Sequence, residues 1–127
     1  MTRIGLVGLG YWGPNLARNF DELADLAWLC DADPAKREKF AARYPAARVS
    51  GDLDELLEDP DLDAVIVATP VPTHYELAKA ALAAADLVCI VTAHPSIDYR
   101  EVVDRSSLVL DFRGVTRGFE SEKLVRL

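Results

Sequence analysis

The sequence predicts an α/β fold, a doubly wound and mainly parallel sheet with helices on both faces. Two observations carry that expectation. Short runs of β-forming apolar residues alternate with helical patterns along the whole chain, the signature of strands joined by helical crossovers. A glycine cluster, Gly8-Leu9-Gly10-Tyr11-Trp12-Gly13, stands where the first apolar run gives way to the first helical segment, which is where a strand hands over to a helix.

The elements follow in order. Ile4-Gly5-Leu6-Val7 reads as the core of a first strand over Arg3–Val7, and residues 13–22 read as a helix. Leu26–Cys30 is a second strand. Asp33-Pro34 then opens a helix over 34–43, because Asp33 is a good N-cap and proline is tolerated at the first helical position. Pro45 closes that unit, and a short strand is expected at Arg48-Val49. Asp52 or Asp54 starts a brief helix over Leu53–Leu57. Ala64-Val65-Ile66-Val67-Ala68 is a continuous apolar run, as in a strand buried on both faces. Residues 73–84 form an alanine-rich helix of high propensity. Leu87–Val91 is a fifth strand, Ile97–Arg105 a helix, and Leu108–Phe112 a sixth strand. The tail holds Gly114, Gly118 and a last apolar pair, Leu124-Val125. The expectation is therefore one six-stranded sheet.

At 127 residues the chain is one domain, residues 1–127, by the length prior. Half its residues are hydrophobic, enough for a core burying roughly two thirds of the unfolded surface. The net charge of −7 and pI of 4.7 argue against a general nucleic-acid binder, which carries a basic footprint. The acid excess lies in residues 1–99, whereas residues 100–127 carry 6 basic and 5 acidic residues, so the chain's end is the better place for an anionic ligand. No segment reads as a signal peptide or a membrane span, and a soluble, cytoplasmic protein is expected. Cys30 and Cys89 fall on strands separated by two others in the usual order, roughly 14 Å at the normal strand spacing, too far for a disulfide. With no His pair beside them, they form no zinc site. The acidic residues from Asp52 to Asp63 lack the glycine and ligand spacing of a calcium loop and read as a solvated face, so no metal is expected.

The glycine cluster has the spacing G-x-G-x-x-G. Gly8 permits a tight turn, Gly10 lets the backbone approach a pyrophosphate, and Gly13 lets the helix lie close on the strand. The helix N-terminus offers N–H groups and a positive dipole end to phosphates. Asp31, 23 positions after Gly8, sits where a carboxylate at the tip of the second strand would accept hydrogen bonds from an adenosine ribose and repel a 2′-phosphate. Strand, turn, helix and acid together predict a Rossmann-like domain that binds NAD rather than NADP. Tyr11 and Trp12 belong to the same loop; Trp12 either shields the pyrophosphate or packs under the helix.

Residues 1–84 resemble the N-terminal domain of the Gfo/Idh/MocA oxidoreductase family. The matching residues run from Gly8 through Leu16 with Arg18-Asn19-Phe20, then Cys30-Asp31-Ala32-Asp33-Pro34, Asp54-Glu55-Leu56-Leu57, and Ala68-Thr69-Pro70 with His74-Tyr75-Glu76-Leu77-Ala78. The form Tyr11-Trp12-Gly13-Pro14-Asn15 is similar to the branch acting on nucleotide sugars, such as UDP-N-acetylglucosaminuronate 3-dehydrogenases. The resemblance implies that Thr69, Pro70 and His74 border the nicotinamide half of the cofactor; read as a residue alone, His74 is equally a polar group in the first turn of its helix. The family's next strand ends in Glu-Lys-Pro, whose lysine is catalytic. Here that place reads Val91-Thr92-Ala93-His94-Pro95, without the lysine, and the family's large C-terminal domain is not matched. His94, on the edge where ligands bind in open α/β sheets, is the weak candidate for the missing acid/base group.

Residues 86–127 are similar instead to the C-terminal domain of UDP-glucose/GDP-mannose dehydrogenases, through Asp86-Leu87-Val88-Cys89-Ile90-Val91, His94, Asp98-Tyr99, Leu108–Asp111, Arg113 and Thr116-Arg117-Gly118. That likeness implies contact with a sugar nucleotide, to which Arg113 contributes, and a hybrid junction near residues 84–86; read as residues alone, Arg113 and Arg117 either hold a phosphate or pair with the acidic groups of the chain. Two functions are consistent with these residues: an NAD-binding oxidoreductase domain with an incomplete catalytic site, or a non-catalytic nucleotide or UDP-sugar binding or scaffold module. A sheet without its usual partner domain would expose an apolar face or edge, so a homodimer is expected.

Overall fold

The computed structural model describes residues 1–82, 88–90, 98–105, 107–111 and 114–126. The elements run β1 (Arg3–Val7), α1 (Gly13–Leu23), β2 (Asp25–Cys30), α2 (Pro34–Arg43), β3 (Arg48–Ser50), α3 (Leu53–Leu57), β4 (Ala64–Val67), α4 (Val71–Leu82), β5 (Val88–Ile90), α5 (Tyr99–Arg105), β6 (Val109–Asp111) and β7 (Leu124–Arg126). Helix starts follow the capping chemistry. Asp33 accepts from the Ala35 N–H at 2.9 Å at the head of α2, with Pro34 beginning the helix, and Asp52 caps α3 through the Asp54 N–H at 2.9 Å.

The strands form two parallel sheets rather than one of six strands. The first has the order β3-β2-β1-β4 and the second the order β5-β6-β7. In the first, Leu6 of β1 lies opposite Leu29 of β2 and Ile66 of β4, and the β1–β2 register shifts between Ile4 and Gly5. The six-stranded expectation is not met among the described residues, for two reasons. There β5 runs beside β4 without joining its ladder. β7, whose Leu124-Val125 is the tail's last apolar pair, pairs in parallel with β6 and closes the second sheet.

The first sheet is covered on both faces, as its apolar strands require. On one face, α1 and α2 bring Leu16, Ala17, Phe20, Phe40 and Tyr44 onto Leu6, Leu26, Leu29 and Ile66. On the other, α3 and α4 bring Leu53, Leu56, Leu77 and Ala81 onto Val7, Trp28, Cys30 and Val65. Leu6, Leu29 and Leu56 are wholly buried. A smaller cluster of Val102, Val103 and Val109, with Phe119 and Leu124 against it, joins α5 to the second sheet.

At the end of the first sheet where strands begin, Asp59 ties three elements together. The indole N–H of Trp28 donates to its Oδ2 at 2.7 Å, and Arg3 and Arg48 lie 3.6 and 3.8 Å from the same oxygen. Arg48 also stacks over the Trp28 ring, 5.4 Å from its centroid. The hydrogen bond from Trp28, then that from the Asp61 N–H, then the two arginines hold the Asp59 carboxyl below its usual range. In the second sheet, wholly buried Asp111 accepts from the Gly114 and Thr116 N–H groups and the Thr116 hydroxyl, which fixes the turn after β6.

Candidate functional site: a dinucleotide cleft at the strand tips

Parallel strands that all point one way gather their C-terminal ends, and the loops after them, along one edge. Here that edge holds an open cleft of about 630 Å³. Its walls come from the glycine loop (Gly8 to Trp12), the end of β2 (Cys30 to Asp33), Lys36 of α2, and the β4–α4 connection (Ala68 to Pro70) with Thr73 and Leu77.

Each glycine of the motif has a distinct geometry. Gly8 has φ +99°, and a Cβ there would sit 2.6 Å from the Ala68 carbonyl carbon. Its N–H donates to the Cys30 carbonyl at 2.8 Å, which fastens the turn to β2. A Cβ on Gly13 would come within 3.0 Å of the Gly8 carbonyl oxygen, so the third glycine lets α1 close on the loop. Gly10 faces open space, where a Cβ would meet only Lys36 Nζ, at 4.0 Å. That is the position that must stay bare for phosphate to reach the backbone. Pro14 has no N–H, and the Asn15 and Leu16 amides bond the Trp12 carbonyl at 3.1 and 3.0 Å. The amides offered to a phosphate are therefore those of the loop itself rather than of the first helical turn.

Asp31 is held from three directions. Its Oδ2 accepts from the Leu9 N–H at 2.7 Å, its Oδ1 accepts from the Asp33 N–H at 2.9 Å, and Lys36 Nζ lies 3.8 Å from Oδ2. One Nη1 of Arg37 donates to the carbonyls of Asp31 and Ala32, both at 2.8 Å. The carboxylate is thus fixed against the glycine loop, at the cleft wall, with lone pairs remaining for two ribose hydroxyls. Beside it, burial first and the Asp31 charge second push the Cys30 thiol above its ordinary pKa, and Cys30 is a buried free thiol.

Gly8, Gly10, Tyr11, Trp12, Asp31, Thr69 and Pro70 all line this cleft. Tyr11 and Trp12 pack edge to face at 5.5 Å. They are 89% and 61% exposed, so Trp12 stands at the cleft's rim and does not pack under α1. The Thr69 hydroxyl is buried without a partner. Thr73 turns its hydroxyl onto the Pro70 carbonyl at 2.7 Å and shapes the entry to α4. His74 belongs to α4, but its side chain lies outside the described residues, as do His94 and Arg113 altogether. Arg117 sits exposed on the turn before β7, with its Nε 2.9 Å from where a Gly114 Cβ would be, and is not part of the cleft wall. Sequence reasoning missed Lys36 and Arg37. Their signal was the position of two cations in the first turns of the helix that follows Asp31.

A bare glycine facing open space, an acid at the neighbouring strand tip and a parallel sheet beneath them define a dinucleotide-binding α/β domain. Residues 2–101 match the family model described as oxidoreductase family, NAD-binding Rossmann fold, and the chain belongs to this Gfo/Idh/MocA family. The match runs past residues 84–86. An inositol 2-dehydrogenase from Acidothermus cellulolyticus is 42% identical over 86 residues, 65% of this chain and 25% of that protein. Among solved structures, GenD2 from gentamicin A biosynthesis, in complex with NAD, superposes with a TM-score of 0.74 at 28% identity over 87% of this chain and 34% of its own. The WlbA dehydrogenase from Chromobacterium violaceum, in complex with NADH and UDP-GlcNAcA, gives 0.74 at 25% identity over 91% and 36%. The chain thus spans about a quarter to a third of the length of these proteins. It is an NAD-binding oxidoreductase domain related to dehydrogenases. Among the described residues no helix is long and apolar enough to cross a membrane.

Proposed function

We propose that residues 1–127 form the NAD-binding part of a dehydrogenase for the secondary alcohol of a sugar nucleotide or a cyclic polyol, without a complete catalytic site of their own. The observation that carries the reading is the Asp31 carboxylate fixed against the glycine loop beside bare Gly10. Bound NAD would supply the hydride acceptor. The chain's own residues bind and orient: Asp31 accepts the ribose hydroxyls, Gly10 admits the diphosphate, and Thr69, Pro70 and His74 border the nicotinamide half. The relatives that act on inositol and the neighbour that holds a UDP-sugar support the substrate class.

Hydride removal from an alcohol also needs a group to take the hydroxyl proton. The chain has Thr92-Ala93-His94-Pro95 where the family carries its lysine, which favours a second reading as a non-catalytic nucleotide-binding module; His94 is the candidate base if turnover exists. A sugar-nucleotide role for residues 86–127, with Arg113 and Arg117 as phosphate ligands, rests on the sequence likeness alone, and the family match over residues 2–101 runs across the junction it would need. The chain is incubated with NAD and, separately, UDP-N-acetylglucosaminuronate, UDP-glucose and myo-inositol, and NADH is followed by its absorbance. No turnover alongside measurable NADH binding is expected. Sustained turnover would refute the incomplete site and make His94→Ala the next variant.

A further inference from the structure

We infer that Gly51 and Arg37 act as one unit that positions Asp31, the bare glycine leaving the space from which the guanidinium clamps the tip of β2. The role rests on the NAD-binding reading for its use and concerns two positioning residues, which act on a cofactor through Asp31. The tip of β2 outruns its neighbour. β3 ends at Ser50, in register with Cys30, and the Asp31 N–H donates to the Ser50 carbonyl at 3.2 Å. The Asp31 and Ala32 carbonyls lie past that end. Arg37 meets both, since one Nη1 carries two hydrogens and donates to each carbonyl at 2.8 Å. Its own N–H bonds the Asp33 carbonyl at 3.2 Å. The peptides so held carry the Asp31 carboxylate to the Leu9 and Asp33 N–H groups.

Gly51 makes the clamp possible. It directly follows β3, and a Cβ there would stand 2.7 Å from Arg37 Nη1 and 3.0 Å from its Cζ. Both distances are well inside ordinary contact between heavy atoms, about 3.5–4.0 Å. Gly51 is not among the glycines with positive φ, so its backbone conformation is open to any residue, and the guanidinium alone requires it bare. The clash falls on the far end of a flexible side chain rather than on backbone. A methyl at position 51 would therefore push the guanidinium off the two carbonyls and leave β3 in place. Gly51→Ala thus removes the clamp while keeping the positive charge of Arg37, and Arg37→Met removes both.

Arg37→Met, Gly51→Ala and the double variant are compared with the parent chain by amide hydrogen exchange. They are also titrated with NADH, adenosine monophosphate and nicotinamide mononucleotide. Exchange at Leu9 and Asp33, whose N–H groups bond the Asp31 carboxylate, should quicken about three- to tenfold in each single variant. The Leu6 and Leu29 amides of β1 and β2 should exchange as in the parent. NADH and adenosine monophosphate should weaken by about the same three- to tenfold in both single variants, with nicotinamide mononucleotide unchanged. The double variant should be no weaker than either single one, because both substitutions remove the same clamp. Parent-like exchange at Leu9 and Asp33 in Gly51→Ala would overturn the unit, as would losses that multiply in the double variant. So would Leu6 and Leu29 quickening alongside, or nicotinamide mononucleotide weakening with adenosine monophosphate, since either marks a general loosening. Failure of the parent chain to bind NADH would overturn the NAD-binding reading itself, and the exchange rates at Leu9 and Asp33 would still decide the clamp.

Discussion

Replacing Gly8 and Gly10 by alanine separates the two jobs that the glycine motif combines, one structural and one for the ligand. At Gly8 the backbone has φ +99°, a conformation that costs an L-residue about 1–2 kcal/mol. The new methyl would also lie 2.6–2.7 Å from backbone atoms of Ala68 and Thr69. Those backbone atoms lie directly after β4, where the Ala68 N–H is bonded to the Val7 carbonyl, and cannot rotate away; overpacking of this kind costs about 1–3 kcal/mol more. A loss near 3–4 kcal/mol follows. For 127 residues the unfolding entropy makes each kcal/mol worth about 4 °C in Tm, so Gly8→Ala should melt roughly 10–15 °C lower. At Gly10 the methyl meets nothing nearer than Lys36 Nζ at 4.0 Å, so Gly10→Ala should melt within about 3 °C of the parent. It should nevertheless weaken NADH about tenfold or more, because the methyl stands where phosphate approaches. Thermal unfolding by circular dichroism and NADH titration on both variants test this. Gly8→Ala melting with the parent, or Gly10→Ala binding NADH like the parent, would refute the division of labour.

Three further outcomes follow from the same geometry. Asp31→Asn should weaken NADH by about 10- to 100-fold, the range of one or two charge-assisted hydrogen bonds, and narrow the gap between NADH and NADPH in parallel titrations. Asp59 has a lowered pKa in the folded chain, so its contribution to stability is whole above the ordinary aspartate range, about pH 4, and is lost as pH falls through the lowered value. Urea midpoints should therefore fall more steeply below pH 4 in the parent than in Trp28→Phe, which lacks the main cause of the shift. Cys30, buried and with its thiol pushed upward in pKa, should resist iodoacetamide at pH 8 in the native chain, since the thiolate is the reactive form; peptide mapping that found Cys30 alkylated as fast as in urea would contradict the packing.

The first half of the fold was legible because its signals are local. β1, α2 and α3 carry their boundaries in apolar periodicity and caps: Asp33-Pro34 starts α2 where the capping chemistry says. Strand pairing is not local. A run such as Leu108–Phe112 announces a strand but not its neighbour, which is why one sheet of six became sheets of four and three. β7 escaped notice because it is three residues long with Arg126 inside it. In the site, Gly8, Gly10, Gly13 and Asp31 were readable from spacing, since the motif encodes the backbone path itself. Lys36 and Arg37 were not, because their roles depend on how α2 swings back over the tip of β2. The Trp28–Asp59–Arg3–Arg48 cluster joins residues distant in sequence, and no periodicity marks it.

The central claim, that this cleft holds NAD through Asp31 and the bare glycine, is tested most directly by calorimetric titration of NADH into the parent chain and Gly10→Val side by side. The account predicts saturable, one-to-one binding to the parent and none to a Gly10→Val chain that still melts cooperatively. No heat from the parent at millimolar NADH, or equal binding by both, would contradict it.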